Sequence, residues 1–195
     1  MHEMNRACQI MLILATIGFS WLAMQAVHEA GHVLGAIATG GKISRVILDP
    51  LAFSRTDLSK NPHPLFTTWA GPVFGVALPL LTWIVARYFR APAIYLYRFF
   101  AGFCLVANGT YIGLGSIPKI ADAGDLLRHG AARWQLISFG LVCISLGLYL
   151  WNGLGLNFGL GKLHHPVSRQ VAIIMMTLFL LITSAELIWG REQLP

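Results

Sequence analysis

The chain has 195 residues, of which 56% are hydrophobic and only 11% charged, and its mean hydropathy is +0.65. Too few charges are present to solvate a globular surface, which excludes an ordinary soluble domain and indicates an integral membrane protein. The formal net charge of +6 comes from basic residues lying between apolar runs, with no stripe of interleaved aromatics, so it points to lipid headgroups and away from nucleic acid.

A hydrocarbon layer about 30 Å thick takes roughly 20 apolar residues of helix to cross. Five stretches reach that length, residues 8–27, 65–86, 92–117, 134–156 and 168–189, and the expectation is an all-α polytopic membrane protein of four to six spans, five by this count, forming one domain over residues 1–195. The first stretch has some marks of a cleavable signal, Arg6 before an apolar region and Ala26 near its end. That region is long for a signal, and Met24 is not small where a cleavage site would need it, so the stretch is read as a span. Within the third, Arg98 either faces protein or marks a helix that starts near Phe99. Cys8, Cys104 and Cys143 are odd in number, far apart and set among apolar residues, as small buried hydrophobes are.

Between the first two spans, residues 41–64 are polar and rich in Gly and Pro, with a β-branched patch from Ile43 to Leu48 and a turn at Asp49-Pro50. This pattern predicts a short β-hairpin. Further on, "GLGLNFGLG" at 153–161 precedes Lys162, but Leu163 stands where a phosphate loop needs Ser or Thr, so the segment reads as a flexible connector or a close helix contact. His164-His165 beyond it reads as a solvated pair. No solenoid repeat is visible.

With five spans, the loops after the first and third share a side with the C-terminus. That side carries Lys42, Arg45, Arg55, Lys60, Lys119, Arg128, Arg133 and Arg191, against Arg6, Arg87, Arg90, Lys162 and Arg169 opposite. The bias marks the first side as cytoplasmic, in a plasma or inner membrane.

At the end of the first apolar run stands His28-Glu29-Ala30-Gly31-His32. Side chains four apart share one face of a helix, so two imidazoles can grip one zinc ion while Glu29 reaches a water on that metal. Seven His and four Glu would give this pattern by chance in on the order of 1 chain in 200. A helix from Cys8 through Ala38 would be about 46 Å long, more than the hydrocarbon thickness, which places the histidines below the membrane surface. Ionisable groups there are costly and usually functional. A catalytic zinc needs a third protein ligand and an open position for water. Of the four aspartates, Asp122 and Asp125 fall together after the third span, whose end emerges on the same side as the end of the first; either can meet the histidines.

HEAGH at 28–32, "WAGPVFG" at 69–75, and Asn108 followed by "ADAGDLL" at 121–127 together resemble the site-2 protease family of intramembrane zinc metalloproteases. The resemblance covers roughly residues 8–130 in the family's order and implies a three-helix catalytic core over 1–130, with two further spans over 131–195. It implies Zn2+ held by His28, His32 and Asp122, with Glu29 as general base and Asn108 binding substrate backbone or steadying the intermediate. Its Ala-Gly-Pro segment would lie by the active site, where an interrupted helix exposes backbone to a substrate. The implied substrate is a membrane protein whose transmembrane segment unwinds and adds as a strand to the hairpin at 42–58, with a regulatory membrane partner as a further expectation.

The sequence departs from the family pattern in two places: Asp-Gly becomes Asp122-Ala123-Gly124-Asp125, and the proline expected three residues after Asn108 is Tyr111. Asp125 therefore stays a rival ligand, and both aspartates acting as caps of the next helix is a third reading. Two other functions compete. A di-iron oxygenase would need more histidine boxes than the chain offers. An inactive membrane scaffold or chaperone of the same fold is opposed by an intact Glu29.

Overall fold

The computed structural model describes residues 2–51, 53–161 and 167–192. Helix α1 (His2–Ala38) is followed by strands β1 (Lys42–Ile47) and β2 (Arg55–Lys60), then α2 (Pro64–Tyr88), α3 (Ile94–Gly115), the short α4 (Ala121–Arg128), α5 (Arg133–Trp151), a 3-10 turn at Leu154–Phe158 and α6 (Arg169–Glu192). The mostly helical architecture of a membrane protein, with a small hairpin after the first helix, is as expected. His164 and His165 lie outside the described residues.

Four helices among the described residues, and not five, are long and apolar enough to cross a membrane: α1 over Arg6–Ala38, α2, α5, and α6 over Arg169–Trp189. The exception is α3, because Arg98 and Asn108 lower its hydropathy. Both side chains are spent on the protein. Arg98 donates to the carbonyl of Asn152 at 2.8 Å, where α5 ends, so the helix starts ahead of Arg98 and not near Phe99. Asn108 is buried.

Packing explains the composition of α3. Along its contact with α5 both helices carry glycine: a β-carbon at Gly102 would fall 3.1 Å from the carbonyl of Gly147, and one at Gly140 would fall 2.8 Å from that of Gly109. Apolar side chains gain little by leaving lipid for protein, so close backbone approach through small residues holds such helices together. Ala101, Leu105, Cys143 and Leu150 fill the same contact, and Ile112, Leu126 and Leu136 seal its end under α4. Helix α6 packs alongside α1 through Leu12, Ala15, Ala172 and Met175.

The glycine-rich segment after α5 is an ordered turn and not a flexible connector. Gly153 and Gly159 take left-handed φ of 78° and 69°, which ends α5 and turns the chain back, burying Leu154 and Phe158. Gln9 of α1 donates to the carbonyls of Phe158 and Gly159 at 3.0 and 2.8 Å.

The hairpin pairs β1 and β2 antiparallel, with Val46 opposite Thr56 and Arg45 opposite Asp57. In the connecting loop, Asp49 accepts the Leu51 N–H at 2.8 Å, the local turn that its position before Pro50 favours. The hairpin is pinned at two points: Ser54 N–H donates to the Gln25 side chain on α1 at 2.9 Å, and the Trp189 indole on α6 donates to the Val46 carbonyl at 2.8 Å.

Candidate metal centre

His28, Glu29 and His32 sit on the last third of α1 and are buried, with exposures of 6%, 6% and 8%. At 1.5 Å per residue they lie about 9 to 15 Å back from the end of the helix at Ala38. The Nε2 atoms of the two histidines are 3.0 Å apart. Asp122 brings its Oδ2 to 2.9 Å from His28 Nε2 and 3.1 Å from His32 Nε2, closing a triangle.

Hydrogen bonds on the far side of each ring decide what the triangle contains. The Asn108 amide nitrogen donates to the Cys104 carbonyl at 2.9 Å, which turns its oxygen to His28 Nδ1 at 2.6 Å. His32 Nδ1 lies 2.9 Å from the Thr67 carbonyl. Both partners are acceptors, so each Nδ1 carries the proton and each Nε2 is left a lone pair. With both rings neutral, three acceptor atoms thus face one another, and Asp122 gains a donor only where a ring takes a second proton and pairs with it. Protonating both rings would set two N–H groups against each other across 3.0 Å, whereas one divalent cation satisfies all three. Nitrogen and oxygen ligands at about 2.0 to 2.1 Å from a tetrahedral zinc lie roughly 3.3 Å from each other, close to the spacing found here. The donor set fits a metal ion.

Glu29 stands one step outside. The ligand atoms of His28, Glu29 and His32 lie within 4.8 Å of one another, a group that can hold a metal ion. Asp122 approaches the imidazoles more closely, which leaves the Glu29 carboxylate beside the centre. One of its oxygens accepts the Thr56 hydroxyl of β2 at 2.7 Å, so the hairpin lies across the site.

The turn between α3 and α4 aims Asp122. Lys119 and Ala121 adopt left-handed φ of 59° and 47° on either side of extended Ile120, reversing the chain so that the first turn of α4 faces α1. Asp122 is not a cap: the N-cap residue is Ile120, and no side chain bonds there. Burial pushes the Asp122 carboxyl pKa up, but the hydrogen bonds from His28 and His32 outweigh it and hold the carboxyl well below the usual carboxylate range. Asp125 points elsewhere, pairing with Arg128 at 2.8 Å on the exposed face, and its carbonyl takes His129 Nδ1 at 2.8 Å. The structure thus brings His28, Glu29, His32, Asn108 and Asp122 together and leaves Asp125 and His129 out.

The Ala-Gly-Pro segment does not interrupt its helix, since α2 runs continuously through Pro72 and Pro79. Its contribution is space. A β-carbon at Gly71 would fall on the His32 imidazole, and one at Gly75 would lie 2.8 Å from Asn108 Oδ1. One turn apart on α2, the two glycines seat the His32 ring and the Asn108 side chain that backs His28. Gly31 in turn has no room for a side chain beside Phe74 and Gly71. Tyr111, where the family pattern has proline, stands edge-on to His28 with ring centres 5.7 Å apart.

The sequence pattern points to the Ala-Gly-Pro segment but not to the seating role of Gly71 and Gly75, nor to Thr67, Thr56 and Gln25. Gln25 was within reach, since it precedes Glu29 by one helical turn, and so were Gly71 and Gly75 by the same spacing. The Thr67 contribution is a backbone carbonyl and leaves no trace in residue type. Compared with protein-family models, curated proteins and solved structures, the chain matches none.

Proposed function

We propose that this protein is an intramembrane zinc metalloprotease of the site-2 type, hydrolysing peptide bonds in or near transmembrane segments of membrane proteins. The observation that carries the reading is the convergence of His28 Nε2, His32 Nε2 and Asp122 Oδ2, acceptors when both rings are neutral, on one point beside Glu29. These three residues would hold the metal. When bound there, zinc supplies Lewis acidity, lowering the pKa of a coordinated water towards about 7 and polarising a carbonyl.

The chain's own groups do the rest. Glu29 takes a proton from the attacking water and returns it to the leaving amine, with the Thr56 hydroxyl fixing one of its oxygens. Asn108 and Thr67 hold the imidazoles in the tautomer that ligation requires. The hairpin offers strand edges to which an unwound substrate can add. The excess of basic residues on the side of the hairpin and of the α3–α4 turn, eight against five, supports an active site nearer the cytoplasm.

The test is purified protein with a panel of single-span substrates, with and without a zinc chelator, beside the Glu29→Gln variant. Wild type cleaves and the chelator stops it; Glu29→Gln keeps its zinc and does not cleave. Zinc bound without any cleavage would instead make the chain an inactive scaffold, and proteolysis surviving in Glu29→Gln would remove the general base.

A further inference from the structure

Resting on that reading of the centre, we infer that the cavity between α1 and α3 is a substrate pocket for a large apolar side chain, and that Gln25 and Ser54 hold the peptide main chain beside it. The cavity has a volume of about 460 Å3 and runs from the metal centre, where His28, Glu29 and Asn108 border it, to an aromatic wall of Trp21, Phe103 and Trp151. Trp151 is fixed there by its indole N–H, which donates to the Phe99 carbonyl at 3.0 Å.

Polar atoms on this apolar wall lack partners. Gln25 is 6% exposed and borders the cavity; its oxygen accepts Ser54 N–H, but its amide nitrogen is buried without an acceptor. The Ser54 hydroxyl, also on the wall, is buried without a partner. Buried polar groups are normally satisfied, and a donor without an acceptor beside the proposed catalytic centre suits a carbonyl delivered by a ligand that displaces the Ser54 contact now closing it off. A lipid acyl chain would fill the volume and leave both groups unpaired. An unwound peptide fills the volume with a side chain and pairs them with its backbone.

The chain already places a peptide of that kind at the rim. Phe53 meets Trp21 edge-on, with ring centres 6.0 Å apart; the next residue gives its N–H to Gln25, and two residues later Thr56 gives its hydroxyl to Glu29. A substrate strand would present a bulky side chain deeper in the same cavity, over the small Ala107 of α3.

The experiment uses the full chain in lipid nanodiscs and single-span peptides that differ only in one residue next to the cleaved bond, Phe, Ala or Asp, with a benzophenone version of the Phe peptide for photocrosslinking. Wild type should cleave the Phe peptide about tenfold or more better than the Ala peptide, and the Asp peptide least. Inactive Glu29→Gln protein should crosslink within residues 103–107. Ala107→Phe should erase the preference for Phe over Ala, and Gln25→Leu should cut crosslinking about tenfold, both with zinc content and helicity unchanged. Cleavage without side-chain preference, crosslinks elsewhere, competition by lipid alone, or an inert Gln25→Leu variant overturns the pocket while leaving the protease reading standing. Specific capture in the pocket without hydrolysis does the reverse, and neither capture nor cleavage overturns both.

Discussion

Asn108 holds His28 from behind: its side-chain oxygen lies 2.6 Å from the ring's Nδ1, and its amide nitrogen is anchored on the Cys104 carbonyl. The residue fixes the His28 ring from the side away from Asp122. Replacing Asn108 by Leu should free the tautomer and weaken zinc binding by about 10- to 100-fold, as loss of a ligand's outer partner typically does. Competition against a chromophoric chelator measures this, and an unchanged affinity would mean that Asn108 acts elsewhere.

Asp122 and Asp125 share one short helix but have separate fates. Asp122→Asn should strip zinc from the purified protein, while Asp125→Asn, which loses only an exposed pairing with Arg128, should keep it. Elemental analysis decides between them. The pH dependence follows from the same geometry. Asp122 is held below the usual carboxylate range and stays ionised as pH falls from neutrality, and imidazole ligates a metal only when its ligating nitrogen is unprotonated. Zinc retention should therefore fall as pH falls, with up to two protons taken up per ion released.

Gly71→Ala would improve the intrinsic helix propensity of α2 by about 1 kcal/mol, yet its new methyl group falls on the His32 imidazole. The expected outcome is a protein that inserts and stays helical but holds little zinc. Circular dichroism and metal content, measured on one preparation, check both halves. Full zinc in this variant would show that the ring has another place to sit.

Gly140→Val tests the scaffold instead of the site. Its side chain would push against the Gly109 carbonyl and part α3 from α5, costing on the order of 1 to 3 kcal/mol. Thermal unfolding in detergent should shift down while zinc stoichiometry at low temperature stays at wild type.

The two histidines were legible in sequence because one helix carries both, and helical periodicity alone puts them on one face. Spacing could not tell which aspartate meets the two histidines. Asp122 and Asp125 are three apart and occupy adjoining faces of α4, and what selects between them is the pair of left-handed residues at Lys119 and Ala121, which sequence periodicity does not report. Hydropathy is a weak guide at α3 for a related reason. A helix enclosed by α1, α2, α4 and α5 contacts protein on most sides, so its residues answer to neighbours and its hydropathy is a poor guide to its place. Likewise, the Gly-Pro pair suggested a broken helix, whereas the structure uses the glycine for clearance and lets the helix run on.

Gly71 and Gly75 contribute to this centre by what they leave out. A survey confined to residues with reactive side chains would record His28, Glu29, His32 and Asp122 and pass over α2 altogether, although that helix determines where two of the surrounding groups can stand. Anyone transplanting the centre onto another helical bundle would have to copy two hollows as faithfully as the donors, because a single methyl in either would evict what it shelters.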